Sequence, residues 1–122
     1  HRHRLVVRYG ECDMQGVVFN ARYLDFVDVA VDGWHRARLG AKFEEGEGGY
    51  DSVVRAAELQ FESPARFNDE LELTVAPQRW GRTSYEVVVE GWVGDTRCFR
   101  AKMSYVSVRL AGGAAPEPTP IP

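Results

Sequence analysis

Val7-Arg8-Tyr9-Gly10-Glu11-Cys12-Asp13-Met14-Gln15-Gly16-Val17-Val18-Phe19-Asn20-Ala21-Arg22-Tyr23-Leu24 is where a strand pattern gives way to a helix pattern. The first strand, predicted over Arg4 to Tyr9 around β-branched Val6 and Val7, stops at a polar turn centred on Asp13. Gly16 follows, then a helix predicted from Asn20 to Leu39, with Gly40 as its stop. This order holds one carboxylate beside the positive end of a helix dipole. Attack on a carbonyl, with stabilisation of the oxyanion that forms, uses those two elements together.

The helix pattern itself is unusual. Asp25, Asp28, Asp32 and Arg36 recur at spacings of three and four and form one narrow polar stripe, while Tyr23, Leu24, Phe26, Val27, Val29, Ala30, Val31 and Trp34 fill the rest. A helix apolar over most of its circumference is expected to be enclosed by other structure. His35 falls on or beside the stripe near the helix end, where a solvated imidazole is expected.

After a Gly- and Glu-rich stretch, Ala41 to Asp51, read as an exposed loop, the periodicity changes from 3.6 to 2. Arg55, Ala57, Leu59 and Phe61 alternate with Ala56, Glu58, Gln60 and Glu62. Beyond a turn at Ser63 to Asp69, Leu71, Leu73 and Val75 alternate with Glu70, Glu72 and Thr74. Gly81-Arg82 turns the chain into Tyr85, Val87 and Val89, and Gly94-Asp95 into a last strand from Arg97 to about Arg109. Strands joined so briefly pair antiparallel. The predicted class is α+β, a strand, a helix and four strands, in one domain over residues 1–110 with a Pro/Gly/Ala-rich extended tail at 111–122.

Composition narrows the chemistry. In 122 residues, 44% are hydrophobic and 27% charged, the balance of an ordinary globular domain able to bury a core. The net charge of -3 is the wrong sign for a nucleic-acid binder. No apolar run is long enough to span a membrane, and His1-Arg2-His3-Arg4 is followed by no signal-peptide core, so reduced Cys12 and Cys98 in the cytoplasm are expected. No Cys or His spacing suits a metal. Arg79, Arg82, Arg97, Arg100 and Lys102 form a local cluster of positive charge.

The opening stretch, with Ser63-Pro64-Ala65-Arg66-Phe67-Asn68-Asp69-Glu70-Leu71 and Gly81-Arg82-Thr83-Ser84, resembles the hot-dog fold acyl-CoA thioesterases of the 4-hydroxybenzoyl-CoA thioesterase family, including the type associated with the Tol-Pal system. The resemblance covers residues 4 to 109. It implies a hot-dog fold, a five-stranded antiparallel sheet around one long helix, and hydrolysis of an acyl-CoA to free acid and coenzyme A with no cofactor. It implies homodimers, often assembled into homotetramers, with active sites at subunit interfaces.

The same resemblance makes Asp13 the catalytic carboxylate, either as nucleophile through a mixed anhydride or as general base for water. Spacing alone offers the plainer alternative of an Asp bonding its own backbone two residues on. Tyr9 matches a family Tyr near the active site. Many Tol-Pal-type enzymes carry His where this chain has Asn20, whose side chain is expected to cap the helix while its N–H faces substrate. Gly16, Val18 and Phe19 are expected to bind substrate through a tight turn and backbone N–H groups, and Arg82, Thr83 and Ser84 to contact coenzyme A, whose phosphates suit Arg. Asp28, on the helix, is a minor rival to Asp13. Trp34, Phe61, Trp80 and Tyr85 are expected in the core. The competing readings are a non-catalytic acyl-CoA-binding protein and a hot-dog hydratase or dehydratase.

Overall fold

The strands form because their apolar residues recur every second position, and the helix because its own recur every third and fourth. A computed structural model describes residues 1–39, 50–109 and 117–118. Its elements are β1 (Arg2–Val6), a 3-10 turn (Tyr9–Glu11), α1 (Arg22–Leu39), β2 (Tyr50–Phe61), β3 (Glu70–Trp80), β4 (Ser84–Val93), β5 (Thr96–Arg109) and the two-residue β6 (Glu117–Pro118). The main sheet is antiparallel throughout and runs β1-β3-β4-β5-β2. β6, within the stretch expected to be a loose tail, pairs with Val108 and Arg109 of β5. Most of the expected loop at 41–51 lies outside the described residues, although Tyr50 and Asp51 already belong to β2.

One sheet face packs on α1. Leu71, Leu73 and Val75 of β3, Val87 and Val89 of β4, and Phe99, Ala101 and Met103 of β5 meet Tyr23, Phe26, Val27, Ala30, Val31 and Trp34 of the helix. This is the expected sheet around one long helix, about 27 Å from end to end. Gly91 is required here, because a Cβ on it would collide with the ring of Phe99, its partner across the β4–β5 pair.

The polar stripe of α1 is broader than its sequence suggested, since Leu24 and Val29 are exposed beside the aspartates. The helix backbone runs closest to β1, β3 and β4 and reaches β5 through side chains such as Tyr23 on Phe99, leaving much of β2 uncovered. The alternation of β2 also slips. A bulge between Val54 and Ala56 takes Arg55 out of phase, so the inner face reads Ser52, Val54, Ala57, Leu59, Phe61. Val54 and Phe61 stay 52% and 51% exposed and Trp80 45%, so of the four aromatics expected in the core Phe61 and Trp80 are not core residues. The two edges differ in kind. β1 is short and carries Arg2 and Arg4, a guarded edge, whereas β2 is 12 residues long with Val53 and Val54 exposed.

Candidate active site

The Asp13 turn is built almost entirely from backbone hydrogen bonds. Cys12 pairs with Val18 in a β-bridge, and between them the Asp13 N–H donates to Val17 O (2.9 Å) and the Gly16 N–H to Asp13 O (3.1 Å). Gly16 sits at φ +77°, a conformation that penalises any side chain. The turn is fastened to the segment before β3, with Val18 N–H on Ala65 O (2.8 Å) and Phe67 N–H on Gly16 O (3.0 Å). Asp13 itself accepts from the Gln15 N–H at 2.8 Å and, at 3.4 Å, from the Val17 N–H, both on Oδ1. The local role is therefore real: one carboxylate oxygen holds the turn. The side chain is exposed, and Oδ2 has no hydrogen-bond partner among the described residues.

The helix starts later than expected, at Arg22, so Asn20 does not cap it. Phe19 and Asn20 instead accept from the N–H groups of Arg22 (2.8 Å) and Tyr23 (3.3 Å), and the Asn20 side chain bonds nothing among the described residues. The expected oxyanion donors are also redistributed. Val18 N–H is spent on Ala65, and Phe19 N–H on Glu11 O at 3.0 Å. The N–H groups of Asn20 and Ala21 are the ones left without an acceptor among the described residues, at the positive end of the helix. A cavity of about 250 Å³ opens there, lined by Val17, Val18, Asn20, Tyr23, Phe61 and Pro64. A groove of about 680 Å³ flanks the other side of the loop, with Gly10, Glu11, Arg22 and Phe26 in its wall. Asp13 lines neither.

Tyr9 is not a half-buried strand residue. β1 ends at Val6, and Tyr9 opens the 3-10 turn, 82% exposed, with its ring edge-on to Phe67 at 6.0 Å. Burial first, then the charges of Asp13, Glu11 and Asp69, push the Cys12 thiol up, which disfavours its thiolate.

Arg82, Thr83 and Ser84 form the β3–β4 turn, anchored by Ser107 N–H on Thr83 O (2.7 Å). That turn lies by the last turns of α1, where Arg38 stacks over Trp80 at 4.5 Å. Within one chain these residues and Asp13 are at opposite ends of the helix and do not meet. The positive cluster is largely neutralised. Arg97 holds Glu62 through two nitrogens (2.6 and 2.7 Å) and Glu90 through a third (2.6 Å), and Arg79 and Lys102 share Glu86 at 3.7 Å each. Arg82 and Arg100 form no ion pair among the described residues, although the Arg100 charge, after that of Arg97, acts on Glu62.

His35 is the clearest departure from the sequence expectation. It is 2% exposed, packed against Trp34 and Tyr85, with Nε2 at 2.5 Å from the Tyr85 hydroxyl. Burial, then the Arg38 charge, lower it to about 4 against the pull of Asp32, so it is neutral near pH 7. No spacing rule signals this, because Tyr85 comes from β4. Asp28 is raised by burial first and then by Asp25, yet it stands on the helix away from the Asp13 turn. Among the described residues, no group of three ligand-type side chains suits a metal, and no helix is long and apolar enough to cross a membrane.

Residues 7–122 match the family model of the thioesterase-like superfamily. The chain belongs to that superfamily. As a member it is a thioester hydrolase. No curated protein matches the chain. Solved structures share its fold. A protein from Bartonella henselae described as a probable thioesterase has 22% identity over 98% of this chain and 97% of its own, with a TM-score of 0.80. A thioesterase superfamily protein from Jannaschia sp. has 21% identity over 98% and 85%, with a TM-score of 0.85. A 1,4-dihydroxy-2-naphthoyl-CoA thioesterase from Synechocystis has 18% identity over 99% and 88%, with a TM-score of 0.80. For a thioesterase, the useful arrangement here is a carboxylate oxygen free of its own turn and, at the end of the same loop, unbonded N–H groups where α1 begins.

Proposed function

We propose that this thioesterase hydrolyses acyl-CoA thioesters in the manner of the 4-hydroxybenzoyl-CoA thioesterase family, with Asp13 as its catalytic carboxylate. The observation that carries the reading is the division of labour in one loop. Asp13 Oδ1 is locked to the Gln15 N–H, Oδ2 is open, and the N–H groups of Asn20 and Ala21 wait at the helix start. Oδ2 either attacks the thioester carbon, giving a mixed anhydride that water then opens, or takes a proton from the water that attacks. In both routes the C–S bond breaks, the acyl carbon gains oxygen, and sulfur leaves to be protonated as the coenzyme A thiol. Negative charge on the carbonyl oxygen falls to the two N–H groups, a contribution of about 3 kcal/mol per donor. No metal or redox cofactor takes part.

The site is completed by a second copy. The unguarded edge of β2 supports antiparallel pairing with another β2 into a homodimer, from which a homotetramer can assemble. Such pairing reverses one β2 against the other, so the Asp13 loop of one protomer approaches the Ser52 end of its partner, on the same side as the partner's Thr83 turn. Arg82, Thr83 and Ser84 then serve the coenzyme A of the neighbouring site, with Tyr9, Gly16, Val18 and Phe19 shaping the acyl entrance. The cytoplasm supplies such substrates.

Thiol release from a panel of aliphatic and aromatic acyl-CoAs tests the reaction class. Release of free coenzyme A from at least one member is expected. Hydration of an enoyl-CoA without thiol release would assign a hydratase, and binding without turnover across the panel an acyl-CoA-binding protein. Single turnover in oxygen-18 water, with mass analysis of the Asp13 peptide, tests for the nucleophilic route, because label enters the carboxylate only when water opens an anhydride at the Asp13 carbon.

A further inference from the structure

Tyr23 sits in the first turn of α1, outside both halves of the proposed machinery, and it touches both. The residue is buried, and its ring is held by Phe26, Phe61 and Phe99, with ring centres 6.0, 5.6 and 4.8 Å away. That packing fixes where the hydroxyl lies. Its oxygen accepts the Ala65 N–H at 3.1 Å, a buried hydrogen bond that spans 42 residues of sequence.

From Ala65 the contact passes to the Asp13 turn. Ala65 O takes the Val18 N–H at 2.8 Å, Arg66 pairs with Val17 in a β-bridge, and the Phe67 N–H reaches Gly16 O at 3.0 Å. Residues 65–67 are the bed on which the turn at 12–18 lies, and the Tyr23 hydroxyl ties that bed to the helix. The main chain of Tyr23 holds the other half of the site. Its N–H donates to Asn20 O at 3.3 Å. A trans peptide points its C=O and N–H in opposite directions, so this bond aims the Ala21 N–H out of the helix start. The Arg22 N–H, bonded to Phe19 O at 2.8 Å, does the same for the Asn20 N–H.

We propose that Tyr23 is a positioning residue: its hydroxyl, through Ala65 and Val18, sets where the Asp13 turn stands relative to the N–H groups of Asn20 and Ala21. The inference rests on the reading of Asp13 as the catalytic carboxylate. Without the bond, carboxylate and oxyanion donors are both still present, but the spacing between them is no longer fixed. A misplacement of about 1 Å can cost about 100-fold in rate. The hydroxyl works through its neighbours and not on the substrate, so substrate binding is spared.

Tyr23→Phe tests this, because it keeps the ring and deletes the acceptor. The buried Ala65 N–H loses its partner, so the melting temperature should fall. Thiol release is therefore measured well below melting, with and without trimethylamine oxide, which strengthens the fold. kcat should fall about 10- to 100-fold, with KM within about twofold of wild type and no recovery in the osmolyte. In an Asp13→Asn background, assayed at high enzyme concentration, the same substitution should slow the residual hydrolysis by less than about twofold, since no carboxylate is left to position. An equal fall in both backgrounds, a fall that the osmolyte reverses, a rise in KM alone, or full kcat in Tyr23→Phe overturns the positioning role. Full kcat in Tyr23→Phe beside a slow Asp13→Asn leaves the Asp13 reading standing. A wild-type rate in Asp13→Asn removes that reading and the positioning role together.

Discussion

Asp13 divides its two oxygens between structure and solvent, and that division separates two substitutions. Asp13→Ala deletes the acceptor for the Gln15 N–H and should lower stability by about 1 kcal/mol in urea unfolding. Asp13→Asn keeps that acceptor and should unfold like wild type. His35 offers a second test at this scale. Its folded value of about 4 lies below the ordinary 6.5, so above pH 6.5 the imidazole is neutral in both states and its burial carries no proton penalty. As pH falls from 6.5 toward 4, the unfolded chain takes up a proton that the folded chain refuses. Stability should therefore decline across that window by an amount on the order of 3 kcal/mol. Urea midpoints across the same range, for wild type and His35→Phe, should show the decline flattened in the variant. An acid limb identical in both proteins would show that His35 is protonated in the fold.

Among the elements, legibility followed how many partners each needs. β3 and β4 could be read residue by residue, because each buries one face on α1 and their alternation is unbroken over the core, whereas β5 was read only as a strand from Arg97 to about Arg109. β2 was legible only in part. Its bulge at Arg55 is fixed by pairing with β5, which no local pattern records. The helix was legible as an enclosed element, but its start and the burial of His35 depend on chain segments far away in sequence. In the site, Asp13 and Gly16 could be found from a turn signal, whereas the loss of the Val18 and Phe19 N–H groups to Ala65 and Glu11 could not. Two glycines test the element scale. Gly16→Ala forces a side chain into a left-handed conformation at a cost of about 1–2 kcal/mol, and should also reduce thiol release by displacing Asp13. Gly91→Ala pushes on Phe99 and should cost about 1–3 kcal/mol of unfolding free energy, with activity retained in whatever fraction stays folded.

At the scale of the molecule, the exposed inner face of β2 and its free edge are what the proposed two-copy site rests on. A substitution near the middle of β2 tests this directly. Ala56→Lys sets like charges close together across the axis relating two paired strands, which is destabilising. Light scattering should show a shift toward monomer, together with loss of thiol release. A wild-type monomer with full activity would contradict the assembled site. The central claim is that Asp13 performs the chemistry. Its most direct test is steady-state thiol release by Asp13→Asn against wild type, on the best acyl-CoA of the panel, with circular dichroism and melting temperature matched between the two. The account predicts a fall in kcat of about 10²-fold or more with the fold unchanged; a correctly folded Asp13→Asn protein that hydrolyses the substrate at the wild-type rate would contradict it.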